Sequence, residues 1–259
     1  MENWFYLLRP AGMSVKKIFS MTTVVISQPM YLPWPGFIDH LSKADVIIWL
    51  DDVQFARRSF VHRVKVPQDG ILRWLTIPLI KQAVGTPISE IKAADKNWQA
   101  AHMQILEQIY ANSENFYEIK ECFDVIEASD RLHLTIIKMA EALYEMCTGK
   151  SLNSYISSEF KIVEKATDRI LKLVQKFEGN RYITGHGAKK YFDHHLLEHS
   201  GIDVEYIDYD IKPWKQDTKE FTPFVSSFDL IANVPEQERK LHFNSSIINW
   251  KDFLKDNSV

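Results

Sequence analysis

Cysteine is nearly absent from this 259-residue chain, which has only Cys122 and Cys147. Without C-x-x-C spacing they form neither a zinc cluster nor a disulfide framework, and they read as small core residues of a protein kept in a reducing compartment. No apolar run approaches the ~18 residues of a membrane span. The short WFYLL near the N-terminus is too brief for a signal peptide and lacks a small-residue cleavage site. Together these absences give the expectation of a cytoplasmic protein. Neither sign of charge dominates: 31 Lys and Arg stand against 34 Asp and Glu, a formal net charge of -3. Nucleic acid would therefore have to be held by a local patch, and none is expected as a partner. There is no internal repeat or low-complexity tract. With no Gly-x-Ser-x-Gly elbow and no cysteine in a catalytic setting, hydrolysis through an acyl-enzyme has no support.

What is present is enough hydrophobic sequence, 46%, to bury one substantial core or two small ones. VVIS (24–27) and VIIWL (46–50) are β-branched runs without polar alternation, as expected of strands covered on both faces of a parallel sheet. GFIDHLSK (36–43) between them reads as a short helix, making a right-handed β-α-β unit. A further strand is expected at 73–80, after the turn PQDG. From 97 to 149 the apolar spacing becomes helical, with Asp95 and Asp130 as expected N-caps and Gly149 as the stop. A second α/β portion follows: strands at 155–160, 181–184 and 204–209, and helices at 164–177 and 191–199. The expected organisation is an N-terminal extension (1–21), a first α/β half (22–96), a helical insertion (97–150), and a second α/β half with a C-terminal segment (151–259).

Four constellations carry chemistry. QPMYLPWPGF follows the first strand, and its prolines exclude both helix and central strand. Ligands bind beyond the carboxyl ends of the strands in open α/β sheets, so Gln28, Tyr31, Pro33, Trp34 and Gly36 are candidate binding residues, with aromatic walls for a base or sugar. The alternative is a rigid loop that only caps the sheet. LDDVQFARRSFVHR follows the second strand. Asp51 and Asp52 suit a general base, a metal or a ribose hydroxyl, His62 suits proton transfer, and Arg57, Arg58 and Arg63 suit phosphate or carboxylate. The bland reading is a solvated loop of mutually paired charges, worth ~0–1 kcal/mol each.

In YITGHGAKKYFD the strand, the Gly-x-Gly turn and the lysines make an anion nest of Gly185, His186, Gly187 and Lys189. The third glycine of the dinucleotide fingerprint and the Gly-Lys-Ser/Thr of a P-loop are both missing, so an ordinary β-α turn remains open. His195 and His199 lack the Glu and the third ligand of a zinc site, and no metal is expected. In FTPFVSSFDL, Asp229 is a candidate contact, or else a residue of the helix start.

Taken in order, QPMYLPWPGF, ADVIIWLDDVQFARRSFVHR, WLTIPL, YITGHGAKKYFD and FTPFVSSFDL resemble the WbqC-like family of bacterial proteins from about Thr23 to Asn233. The resemblance implies a place in surface-polysaccharide and O-antigen (lipopolysaccharide) biosynthesis, as a transferase decorating an amino sugar with a glycyl or other acyl group. It carries over Gln28, Tyr31, Pro33, Trp34, Gly36, Asp51, Asp52, Gln54, Ser59, Arg63, Gly185 and Asp229 as site residues. One departure stands at His62, where the family's pattern more usually has Asn. Strand, proline loop and ADVIIWL also resemble the opening of class I nucleotidyltransferases and pantoate ligases, but their His-x-Gly-His is replaced here by Trp34-Pro35-Gly36-Phe37.

The expectation is therefore an α/β fold, a Rossmann-like mostly parallel sheet flanked by helices with a helical insertion. The expected substrates are a nucleotide-linked amino sugar and an acyl or aminoacyl donor. Asp51, Asp52 and His62 would be catalytic; no cofactor is identified. A non-catalytic nucleotide-sugar-binding or scaffold protein and an ATP-dependent amide ligase are the alternatives.

Overall fold

The computed structural model describes residues 21–126, 129–190 and 192–256. The extension expected over 1–21 lies, but for Met21, outside the described residues. Strand β1 (Thr23–Ser27) leads through helix α1 (Pro35–Ser42) to the parallel strand β2 (Val46–Trp49). The chain then leaves the sheet. It forms the hairpin β3 (Arg63–Gln68) and β4 (Ile71–Thr76), followed by helices α2 (Trp98–Tyr110), α3 (Phe116–Val125) and α4 (Leu132–Thr148). Strand β5 (Ser154–Ile156) returns beside β2. Helix α5 (Ala166–Lys176), strand β6 (Arg181–Thr184), helix α6 (His194–His199) and strand β7 (Asp203–Asp208) follow. The chain closes with α7 (Ser227–Asn233), α8 (Glu236–Arg239), β8 (Ser246–Asn249) and α9 (Trp250–Asp256).

The six-stranded sheet runs β5-β2-β1-β6-β7-β8, parallel except for β8, which pairs antiparallel to β7. In chain order its strands stand 3-2-1-4-5-6, the doubly wound Rossmann arrangement. The order reverses between β1 and β6, so connections from these two strands leave in opposite directions and open a crevice at their carboxyl ends.

Alternation along the strands explains why both faces are apolar. Val25, Ile47, Trp49, Ile183 and Ile207 face one core, shared with α1, the hairpin, α2–α4 and α7. Val24, Ile26, Val46, Ile48, Tyr182, Val204 and Tyr206 face the other, shared with α5, α6 and α9. Each strand thus buries side chains on both sides, the condition for a parallel sheet. The larger core is continuous from the sheet into α2–α4.

Several local expectations shift, each for a physical reason. Asp69 and Gly70 both have positive φ, +53° and +74°, as the two-residue hairpin turn requires. The strand expected at 73–80 therefore starts at Ile71 and ends at Thr76. Asp95 and Asp130 are not N-caps: Asn97 and Arg131 hold those positions, and Asp95, two residues earlier, accepts from the Asn97 N–H (2.8 Å). Gly149 does stop α4, with φ +69° and its N–H on the Glu145 carbonyl. The strand expected over 155–160 lasts only to Ile156, then tightens into a 3-10 turn over Ser157–Phe160. Asp193 caps α6 by accepting from the Leu196 N–H (3.1 Å), so that helix begins at His194 rather than at 191.

Candidate functional site

The carboxyl ends of β1 and β6 open into a cleft of about 760 Å³. One wall is the proline loop. Tyr31 anchors it: its N–H donates to the Phe60 carbonyl (2.9 Å) and its hydroxyl meets His102 Nδ1 (2.7 Å). Leu32 takes a positive φ of +43°, and the Pro33 carbonyl accepts from both the N–H and the hydroxyl of Ser227 (2.9 and 2.6 Å). Tyr31 and Pro33 are thus buried supports, while Gln28 and Trp34 line the cleft.

Trp34 stands at the N-cap of α1 with its ring folded over Gly36. A Cβ at Gly36 would lie 2.1 Å from the indole, so the ring can fold here only over a glycine and any larger residue displaces it. The ring continues into an aromatic wall, with Tyr209 at 4.9 Å and Phe224 at 5.1 Å between centroids. Opposite, Gly185, His186 and Gly187 line the cleft at the start of the 3-10 turn 186–190. A Cβ on Gly185 would crowd the Tyr209 hydroxyl at 3.1 Å. His186 Nε2 donates to the Ile207 carbonyl (2.8 Å), which leaves the Nδ1 lone pair as its acceptor.

Electrostatically the cleft is almost bare. Among the described residues its lining has no Lys or Arg, and Asp208 is the one carboxylate. His40 is buried in the wall, and that burial lowers its pKa to about 4, so it is neutral at pH 7. Burial also raises the Tyr209 hydroxyl, which therefore stays protonated. The Ser59 hydroxyl is buried in the lining without a hydrogen-bond partner among the described residues, a polar group that a ligand would satisfy.

The remaining candidates from the sequence lie elsewhere. Asp51 is fully buried and accepts from the Ser158 N–H (3.0 Å), the Ser158 hydroxyl (2.7 Å) and the Ser157 hydroxyl (3.2 Å). Asp52 pairs with Arg169 and accepts from Ser157. The two carboxylates pin the end of β2 to the turn after β5, outside the cleft lining. Gln54 makes a β-bridge to Pro87. Arg63 stacks on Trp74 at 4.0 Å. Lys189 belongs to the 186–190 turn but not to the lining. Asp229 is buried, accepting from Tyr110, Trp214 and Gln216. His62 lines a separate cavity. Among the described residues no three His, Cys, Asp or Glu side chains gather as a metal site, and no helix is long and apolar enough to cross a membrane.

Tyr209, Phe224, Phe60, Thr184 and Asp208 line the cleft but went unnamed at the sequence level. For Asp208 and Tyr209 a signal existed, since they end and follow β7 and the carboxyl-end rule applies to that strand as to β1. Phe60 and Phe224 lie inside the stretches LDDVQFARRSFVHR and FTPFVSSFDL, but no strand end marks them.

Fold and cleft together define an α/β protein with a Rossmann-ordered sheet and a preformed aromatic cleft at its switch point. More narrowly, the chain belongs to the WbqC-like protein family, whose model matches residues 28–241. It is 27% identical over 218 residues to the uncharacterized protein Rv1507c of Mycobacterium tuberculosis strain H37Rv, over 83% of this chain and 94% of that one. No solved structure matches the chain. The family match begins at Gln28, the first residue of the proline loop, and takes in every cleft residue except Ile26 and Ser27.

Proposed function

We propose that the cleft holds a ring of a nucleotide-linked amino sugar, and that the protein is a transferase of bacterial surface-polysaccharide (O-antigen) biosynthesis adding an acyl or aminoacyl group, such as glycyl, to the sugar's amine. The observation that carries this reading is the wall of Trp34, Tyr209 and Phe224 at the switch point. An aromatic wall with few charges around it suits a base or sugar face, where stacking on one ring contributes ~1–3 kcal/mol. Membership of the WbqC-like family supports the place in polysaccharide synthesis.

In this reading the amine nitrogen attacks the donor's acyl carbon, the C–N bond forms, and the bond to the donor's carrier breaks. The proton leaving the amine passes to His186 Nδ1, since Nε2 is committed to the Ile207 carbonyl. Asp51 and Asp52 are engaged by Ser157, Ser158 and Arg169, and act as positioning groups for the β2 end. That same occupancy favours a second reading, in which the protein binds a nucleotide sugar without transforming it.

A thermal-shift screen against nucleotide sugars, nucleotides and acyl donors, followed by mass spectrometry of the mixed substrates, separates these. A nucleotide sugar at 100 times its Kd stabilises the protein by ~2.7 kcal/mol. A mass gain on the acceptor that disappears in His186→Ala supports transfer. Binding without product under any donor supports the second reading, and stabilisation by ATP alone makes the protein an amide ligase.

A further inference from the structure

The loop from Arg57 to His62 faces two cavities. Ser59, Phe60 and Val61 line the switch-point cleft, whereas Arg57, Arg58 and His62 line a second cavity of about 560 Å³ whose other wall is residues 76–82. The segment carrying it is basic out of proportion to the chain. Between Val53 and Pro87 stand Arg57, Arg58, Arg63, Lys65, Arg73 and Lys81 against a single acid, Asp69.

Three of these cations are already engaged. Arg73 reaches Asp69 at 3.8 Å, and Arg63 and Lys65 lie over the Trp74 ring at 4.0 and 5.4 Å. The other three, Arg57, Arg58 and Lys81, all line the second cavity. They enter no ion pair among the described residues, and the lining contains no acid. Arg57 has one weak bond, to the Gln82 carbonyl at 3.3 Å.

A second observation points to a ligand. His62 Nδ1 is buried in this wall without a hydrogen-bond partner among the described residues, a state that buried polar atoms rarely keep. Arg58 itself has a left-handed backbone, φ +61°, held where Arg63 donates to its carbonyl (2.5 Å). Strain of this kind in a non-glycine residue collects at functional loops.

We propose that this second cavity is an oxyanion site for the phosphate or carboxylate of a small-molecule ligand, charged by Arg57, Arg58 and Lys81 and completed by His62. Guanidinium forks match either oxyanion bidentately. Leu79 and the exposed Ile80 in the lining supply an apolar surface for the organic remainder. The shared loop would place that ligand next to whatever occupies the cleft, although the site stands on its own residues and does not require the cleft to take a nucleotide sugar.

The test titrates inorganic pyrophosphate and, separately, malonate into the full chain by calorimetry, so that the probe that binds names the oxyanion. Saturable binding of either probe is expected. It should weaken at least about tenfold in the Arg57→Gln/Arg58→Gln double variant, on the scale of charge-assisted hydrogen bonds, and stay unchanged in Trp34→Ala. Both arginines are exposed, so the double variant should keep the wild-type urea midpoint. Three results overturn the proposal: no binding of either probe, equal binding by the double variant, or binding weakened by Trp34→Ala instead, which would put the anion in the cleft. A nucleotide sugar that fails to bind would sink the reading of the cleft and leave this result untouched.

Discussion

Asp229 makes a sharp test of how burial and hydrogen bonding compete inside this fold. Its carboxylate is fully buried, and among the described residues no cation pairs with it. It accepts from the Tyr110 hydroxyl (3.2 Å), the Trp214 indole (2.7 Å) and the Gln216 amide (2.9 Å). Burial wins over these donors and raises its pKa from 3.8 to about 6. Between those two pH values the folded protein holds a proton that the unfolded chain has released. Stability therefore falls as pH rises through the window and levels off above pH 6. A rise of that size corresponds to about 3 kcal/mol, a sizeable share of a typical ~5–15 kcal/mol total. Other carboxylates titrate in the same range, so the informative quantity is the difference between wild type and Asp229→Asn, from urea unfolding at pH 4 and pH 7. The neutral acid and the amide are close in shape at pH 4, and the amide does not ionise. Because the unfolded carboxyl is already half ionised at pH 4, wild type should lose roughly 2 kcal/mol relative to the variant between the two pH values. A flat difference, or one that grows in favour of wild type, would refute the reasoning by showing that the three donors outweigh burial.

Other consequences are simpler. Arg239 is wholly buried, with its guanidinium forked onto Glu118 (2.6 Å twice) and bonded to the carbonyls of Met146, Ile231 and Val234. Arg239→Ala should cost ~3–5 kcal/mol in urea melts because Glu118 and three carbonyls lose their partner; a loss below about 1 kcal/mol would mean water replaces it freely. Asp51→Asn should lower stability by ~1–3 kcal/mol while leaving ligand binding in the cleft intact. Lost turnover at unchanged stability would return Asp51 to catalysis. Burial pushes both Cys122 and Cys147 thiols up to about 12, so a thiol reagent at pH 8 should label them only at the rate of unfolding. Rapid labelling of the folded protein would contradict their placement.

The parts of this protein legible in its sequence are those written locally. β-branched runs announce β1, β2 and β6, and the carboxyl-end rule then marks the proline loop, because strand burial and loop chemistry are contiguous in the chain. Strand β3 was hidden in a charged stretch that read as a loop, since a two-stranded ribbon tolerates Arg63, Lys65 and Pro67 where a central strand would not. Strand β8 is four residues on an antiparallel edge, too short to register as a pattern. The adjacent acids Asp51 and Asp52 drew attention as a catalytic pair, yet the hydroxyls and guanidinium that occupy them arrive from Ser157, Ser158 and Arg169, more than a hundred positions away. Long-range partners decide whether a carboxylate is available, and a single sequence does not show them. The same holds for the cleft, where Trp34 was visible but Tyr209 and Phe224, which complete its wall, come from separate connections.

The most direct test of the central claim is the affinity of a nucleotide-linked amino sugar for wild type and for Trp34→Ala, measured by calorimetry, with Gly36→Ala as a second perturbation of the same ring. The account predicts that losing the stack weakens binding by ~1–3 kcal/mol, roughly five- to 150-fold. Gly36→Ala should follow in the same direction, because its methyl would displace the indole. Equal affinity in wild type and Trp34→Ala would remove the ligand from the aromatic wall and contradict the account.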